Sequence, residues 1–306
     1  MNTCRMRITC IAVSLFLCMA SHGFCQEQDF DKVQIQTIHV AGNVYMLMGS
    51  GGNIGVCAGD TGVFMVDDQF APLTEKIRAA ITKISDKDIR FLINTHWHYD
   101  HVGGNENIGK AGSVIIAHEN VRTRMGTDQF IDFFQKTIPA SPASALPIIT
   151  FTQDLTFHVN NENIHVFHVK KAHTDGDAII YFKNADVLHT GDIYFAGIYP
   201  FIDVSSNGSV AGVIDAATYV LSIINDKTKV IPGHGPLSNK AELKAYVEML
   251  SFLKDNITKS ISEGKTLEEI QASRPTQQFD KTWGGGFLSP DLFVQILYKD
   301  LSRKCK

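Results

Sequence analysis

The sequence has little of what would take it outside ordinary globular proteins. Glycine (24) and proline (9) are too few among 306 residues for a collagen-like or low-complexity chain. Basic residues do not outnumber acidic ones: 28 Lys and Arg against 32 Asp and Glu give a formal net charge of −4. The chain therefore lacks the basic excess that a nucleic-acid binder usually carries. Apolar runs are short. The stretch Ile8–Ala20 is not long enough to cross a bilayer comfortably, and no apolar continuation follows it. Cysteine is scarce beyond residue 25, where Cys57 and Cys305 are the two present, so no disulfide scaffold is available.

The four other cysteines lie within or at the edge of an N-terminal segment that reads as an export signal. Arg5 and Arg7 precede the apolar stretch, and Gly23 and Cys25 place small residues three and one before Gln26. The expected division is residues 1–25 as a signal peptide and 26–306 as the mature chain, periplasmic or secreted and without a membrane span once cleaved. A retained anchor is the alternative, and the bulk of Phe24 argues against lipid attachment at Cys25. An exported chain can pair Cys57 with Cys305. Cys57, however, sits in the strand-like run Asn53–Ala58, where a thiol behaves as a small buried apolar group, and two free thiols are the preferred reading.

Residues 34–48 alternate apolar and polar side chains around the turn Ala41–Gly42–Asn43, which predicts two strands. A second pair, Ile54–Ala58 and Val63–Asp67, is joined by Gly59–Asp60–Thr61–Gly62. Helical spacing predicts a helix over Leu73–Ile84, with Ile77, Ala80, Ile81 and Ile84 on one face. Further strands are expected at Ile89–Ile93, Val114–Ala117, Ile148–Phe151, Asn163–Val169, Ala178–Phe182, Val187–Thr190 and Lys229–Ile231. Helices are expected at Val210–Ile224 and Ala241–Glu263, and residues 122–147, with Pro139, Pro142 and Pro147, read as a long loop or lid. Strand-rich halves punctuated by helices suggest a layered α/β sandwich.

Histidine is the residue whose placement matters. After the strand Phe91–Ile93 comes Asn94–Thr95–His96–Trp97–His98–Tyr99–Asp100–His101–Val102–Gly103–Gly104–Asn105, with four potential metal ligands in six residues. At this composition such a coincidence is on the order of one in a thousand per chain. In an extended segment His96, His98 and Asp100 project to one side, and His101 to the other unless the chain turns. Three imidazoles and a carboxylate suit a borderline-soft divalent cation, with Zn²⁺ the default.

This segment resembles the signature of the metallo-β-lactamase superfamily, and the resemblance extends over about residues 30–240. It implies a four-layer αββα sandwich, a C-terminal helical extension and two zinc ions per chain. It also implies further ligands in glycine-containing loops after apolar strands. The matching positions are His173 in Ala172–His173–Thr174–Asp175–Gly176–Asp177, Asp192 in Thr190–Gly191–Asp192, and His234 in Gly233–His234–Gly235. Carried over, His96, His98 and His173 hold one ion, Asp100, His101 and His234 the second, and Asp192 bridges. Asp177 is a candidate to orient His173 from behind. His189 reads as a core or supporting group, His118 as a helix-start residue, and His158, His165 and His168 as solvated or locally hydrogen-bonded.

Zinc lowers the pKa of a bound water to about 7, so the expected chemistry is hydrolysis of an amide, ester or thioester of a small molecule, with Asp100 positioning the nucleophile. No Gly-x-Ser-x-Gly elbow competes with this reading. Export favours a class B β-lactamase-like activity. Against it, penicillin-hydrolysing members commonly carry Cys where Asp192 stands, with a nearby Lys that the run Ile193–Gly197 lacks. Asp192 instead resembles the bridging carboxylate of glyoxalase II (a thioesterase), of lactonases and of exported lactamase-like hydrolases. The stretches Tyr199–Asp203 and Trp283–Phe287 resemble the last group, and their aromatics either line a cleft or pack. A zinc-binding protein with an inactive site is the non-enzymatic alternative, and oligomeric state is left open.

Overall fold

In a computed structural model describing residues 29–303, each strand of the interior divides its side chains between two faces, and this parity builds the layers. The first sheet contains β1 (Gln36–Ala41), β2 (Val44–Met48), β3 (Ile54–Cys57), β4 (Val63–Val66), β5 (Ile89–Ile93) and β6 (Val114–His118). A small separate hairpin, β7 (Gln129–Ile131) and β8 (Lys136–Ile138), follows, and β9 (Ile149–Phe151) then completes the sheet beside β6. The second sheet runs in order through β10 (Asp154–Val159), β11 (Glu162–His168), β12 (Ala178–Phe182), β13 (Val187–His189), β14 (Lys229–Ile231) and β15 (Ser238–Asn239). The expected strands are all present, within a residue or two at each end.

Phe64, Val66, Ile93 and Ile116 of the first sheet meet Ile164, Val166, Ile180 and Ile231 of the second in one buried cluster. Their neighbours of opposite parity, Val63, Met65, Leu92 and Ile115, pack instead under α1 (Thr74–Thr82), with Ile77, Ala80 and Ile81. Short helices follow: α2 (Tyr99–Val102), α3 (Asn105–Lys110) and α4 (Glu119–Met125). On the far side, Ile179, Leu188 and Val230 pack under α5 (Val210–Ile223) and α6 (Lys240–Ser262). The result is the expected four-layer αββα sandwich. After α6 come α7 (Leu267–Ala272), α8 (Asp280–Trp283) and α9 (Pro290–Arg303), whose Phe293, Val294, Ile296 and Leu297 join that same outer core. No helix among the described residues is long and apolar enough to cross a membrane.

The signal-peptide reading and Cys305 lie outside the described residues. Cys57 is a free, fully buried thiol, and burial pushes its pKa up to about 12. One expectation needs correction: residues 122–147 are not one long loop. The segment begins inside α4, whose start His118 caps by accepting from the Asn120 N–H (3.2 Å), and it then forms the β7–β8 hairpin. The alternation that marks a strand is too short in these three-residue strands to be read past three prolines.

Candidate metal centre

The seven side chains singled out by the sequence converge at one rim of the sandwich. His96 and His98 follow β5, His173 follows β11, Asp192 lies in the turn Gly191–Ile193 after β13, and His234 follows β14. Inward-facing donor atoms fall into two sets, each within 4.8 Å: His96, His98, His173 and Asp192 in one, Asp100, His101 and His234 in the other. Asp192 faces both. Its Oδ2 lies 3.7 Å from His96 Nε2 and 3.5 Å from His173 Nε2. Its Oδ1 lies 3.1 Å from His101 Nε2 and 3.4 Å from His234 Nε2. Strand alternation misplaces Asp100: it belongs with His101, not with His96 and His98, because the helical turn α2 starts at Tyr99 and swings both residues to the second set.

The outer edges of four rings are committed, which leaves their inner nitrogens free. His101 Nδ1–H donates to Asp67 Oδ2 (2.8 Å) and His98 Nε2–H to Asp203 Oδ2 (3.0 Å). His173 Nδ1–H donates to the Phe201 carbonyl (2.8 Å), and His96 Nδ1–H to the Thr95 hydroxyl (3.0 Å), which itself donates to Asp67 (2.7 Å). With those tautomers, lone pairs of His173 Nε2 and His98 Nδ1 face each other across 2.8 Å. His96 Nε2 and Asp192 Oδ1 are buried without a hydrogen-bond partner. Bare nitrogen lone pairs and carboxylate oxygens aimed at a common space are repulsive unless a cation lies among them, so the donor set fits divalent metal.

The electrostatics agree. Burial first, then the neighbouring imidazoles, hold His96 well below the ordinary histidine range, and burial carries His173 down to about 4. Such rings are neutral ligands. In the second set burial opposes protonation, but Asp192 and Asp100 outweigh it, raising His234 to about 9 and His101 well above its usual value. Burial likewise pushes the carboxyls of Asp100 and Asp192 up, yet the adjacent histidines hold both well below the usual carboxylate range. Two carboxylate charges at this rim thus demand positive partners.

Backbone placement depends on glycine at two points. A Cβ on Gly233 would lie 2.0 Å from Asp192 Oδ1, and one on Gly52 would lie 2.1 Å from His101 Cε1. The His173 loop is pinned from α4, where Arg124 forms a two-pronged pair with Asp175 (2.7 Å at each prong). Asp177 does not orient the His173 ring as expected. Its carboxylate takes the Thr174 N–H (2.8 Å) and hydroxyl and shapes the loop backbone, while the ring is set by the Phe201 carbonyl. His189 supports the Asp192 turn, accepting from the Gly191 N–H (3.1 Å) and donating to the Asn53 carbonyl (3.0 Å).

Sequence reasoning missed Asp67 as the partner of His101 and Asp203 as the partner of His98. A signal existed for the first: two acidic residues, Asp67 and Asp68, directly follow the apolar strand β4. Above the cluster opens a cleft of about 570 Å³ walled by Phe70, Trp97, Tyr99, Phe134, Phe201 and Phe287, with Asp100, Asp192 and His234 at its floor. The two aromatic stretches therefore divide: Phe201 and Phe287 line the cleft, whereas Tyr199 stacks on Phe293 (4.6 Å) and Trp283 packs on Phe279 (5.8 Å).

Comparison with known proteins bears on this rim. The model of the metallo-beta-lactamase superfamily matches residues 47–238. A hydroxyacylglutathione hydrolase of Pelagibacter ubique is 31% identical over 122 residues, 39% of this chain and 43% of the relative. A second hydroxyacylglutathione hydrolase, of Erythrobacter litoralis, is 30% identical over 109 residues, 35% of each chain. The aligned stretches span less than half the length of these relatives. Among solved structures, a metallo-beta-lactamase from Pontibacter korlensis superimposes with a TM-score of 0.59 at 17% identity, covering 71% of this chain and 99% of that one. A stereoselective inverting sec-alkylsulfatase from Pseudomonas sp. superimposes with a TM-score of 0.64 at 17% identity, covering 87% of this chain and 50% of the other.

Proposed function

Because the chain belongs to the metallo-β-lactamase superfamily, a group of metal-dependent hydrolases, we propose that it is a two-zinc hydrolase cleaving a small carbonyl substrate without a covalent protein intermediate. The observation that carries this reading is Asp192, one oxygen turned to each histidine set. His96, His98 and His173 would hold one ion and Asp100, His101 and His234 the other, with Asp192 shared. When bound, the ions supply hydroxide at neutral pH and positive charge for the oxyanion that develops on the attacked carbonyl.

The chain's own groups do the rest. Asp100, with its side chain 29% exposed at the cleft floor, receives a proton from the attacking oxygen and delivers one to the leaving nitrogen, oxygen or sulfur. Asp67, Asp203 and the Phe201 carbonyl hold three of the imidazoles in the tautomer that keeps a lone pair inward. The aromatic walls bind the apolar part of the substrate and thin the water around the reacting carbonyl, which strengthens every charge interaction there.

Two substrate classes follow. An exported chain would meet β-lactams in the periplasm, so β-lactam hydrolysis is the first reading. Thioester hydrolysis is the second, supported by the carboxylate at 192 and by the similarity to two hydroxyacylglutathione hydrolases. Purified protein loaded with zinc should be assayed against matched panels of β-lactams, thioesters and lactones, with metal counted by mass spectrometry. Hydrolysis of one panel, abolished by chelation, is the expected result. Metal-loaded protein that cleaves none of the panels removes the proposal.

A further inference from the structure

His234 is held differently from the other ligand rings. His96, His98, His101 and His173 each commit an outer nitrogen to a hydrogen bond. Among the described residues, every polar contact of the His234 ring runs from Nε2, to Asp100 (3.3 Å), Asp192 (3.4 Å) and His101 (3.3 Å). Its side chain is also the most exposed of the five, at 22%. The torsion that turns an imidazole about its stem has broad minima, so a ring without a bond at its outer edge keeps its aim only if something lies against its face.

Phe195 lies against that face. The two rings are nearly parallel, 18° apart with centroids at 5.0 Å, the geometry of an offset stack. The other ring that meets His234, that of His101 (5.3 Å, 80°), is itself a ligand. Phe195 is buried, and its backbone is registered on that of His234. The two residues pair in parallel, the Ala196 N–H donates to the His234 carbonyl (2.9 Å), and the Gly233 N–H donates to the Tyr194 carbonyl (3.0 Å). Tyr194 is anchored in turn: its hydroxyl donates to Ser238 Oγ (2.9 Å), which donates to Glu242 (2.6 Å) on α6. The same short segment carries Asp192, so the shared carboxylate and the stacking ring arrive at the rim together.

We infer that Phe195 is the positioning residue of His234, and that the ion assigned to Asp100, His101 and His234 is retained through this stack. This rests on the two-metal reading above and adds to it a residue that supplies no ligand atom. A parallel stack fixes the plane of the imidazole and with it the direction of Nε2. An imidazole whose Nε2 binds a cation is also electron-poor, and the negative face of a phenyl ring attracts it. Phe195 lies near one ring of the other set as well, 6.2 Å from His173 at 54°. That ring is already fixed by the Phe201 carbonyl, so the ion of His96, His98 and His173 does not depend on Phe195.

The test compares Phe195→Leu, which keeps apolar bulk and removes the ring, with Phe195→Tyr, which keeps the ring. Zinc affinities are measured by competition with a chelator. In Phe195→Leu one ion should be held about five- to tenfold more weakly and the other within about twofold of wild type, and Phe195→Tyr should restore most of the loss. In a His234→Ala background, adding Phe195→Leu should weaken zinc no further, because the ring it positions is gone. For any substrate hydrolysed, kcat/KM of Phe195→Leu should fall at limiting zinc and recover at saturating zinc, which neither a damaged fold nor a lost substrate contact would do. Equal weakening of both ions, unchanged affinity, or a further loss in the His234→Ala background overturns the inference. If wild type holds fewer than two ions, the two-metal reading fails by itself. Carbon-13 relaxation of the His234 ring in the metal-free proteins then decides the role of Phe195. Ring order lost in Phe195→Leu and kept in Phe195→Tyr upholds it, and equal order in wild type and Phe195→Leu overturns it.

Discussion

Gly52→Ala perturbs half of the centre without replacing a ligand. The added Cβ would sit 2.1 Å from His101 Cε1, 2.5 Å from its Nε2 and 2.6 Å from its Nδ1. Carbon atoms pack at about 3.5 Å, so the ring or the loop has to give by about 1.4 Å. Neither is free to move. The ring is fully buried and tied to Asp67, and the loop is fixed at both edges of Gly52, whose N–H donates to the Asp100 carbonyl (3.0 Å) and whose carbonyl accepts from Gln69 Nε2 (2.7 Å). Overpacking of this kind costs about 1–3 kcal/mol, and a shift of that size in a reacting group lowers turnover on the order of a hundredfold. The three atoms nearest the new methyl group all belong to His101, so the clash falls first on the second set. Metal per chain should therefore fall from two toward one, measured by mass spectrometry after dialysis, with kcat/KM falling alongside. Gly285→Ala, whose Cβ meets nothing within 4 Å, is the control. Retention of two ions and full kcat/KM in Gly52→Ala would refute the assignment of His101 to a second ion.

Three further outcomes are expected. His98→Ala should lower bound zinc and hydrolysis together, and added zinc should rescue neither fully; undiminished hydrolysis would contradict the role given to that ring. Cys57→Ala should leave kcat/KM unchanged because the thiol is buried between the sheets, away from the cluster, and a large loss would mean the thiol has been misread. Asp186→Ala tests stability far from the site. Burial raises that carboxyl, but hydrogen bonds from Thr228 (2.7 Å), Asn225 (3.0 Å) and Tyr181 (2.9 Å) bring it below its ordinary value of 3.8. A depressed folded-state pKa stabilises fully above 3.8 and is lost as pH falls through the lower value. Urea unfolding should show the variant about 1–2 kcal/mol less stable at pH 7, with the gap shrinking below pH 3.8. A gap that stays constant on acidification would refute the hydrogen-bonded carboxylate as its source.

The fold was legible because its signals are local. Parity along Val63–Val66, Ile89–Ile93 and Ile179–Ile180 separates the inter-sheet core from the helix-covered faces, and the amphipathic spacing of Leu243, Leu250, Leu253 and Ile257 turns α6 inward. The hairpin at 129–138 escaped because three residues per strand carry too little alternation. Asp100 was placed on the wrong side by the strand rule because a single helical turn, invisible in composition, begins one residue earlier.

By itself the sequence determined four donors, ligand-type side chains within six residues whose type and short spacing express metal chemistry, while the other three, in glycine-containing loops, followed from the resemblance to the superfamily. Tertiary structure decided what those donors share. That Asp192 has one oxygen for each set, that Asp67 and Asp203 reach His101 and His98 from 34 and 105 residues away, and that Phe195 stacks on His234 all depend on how separate strands end at one rim. Distances between such groups are set by sheet pairing and by the packing of layers, which no local stretch of chain encodes.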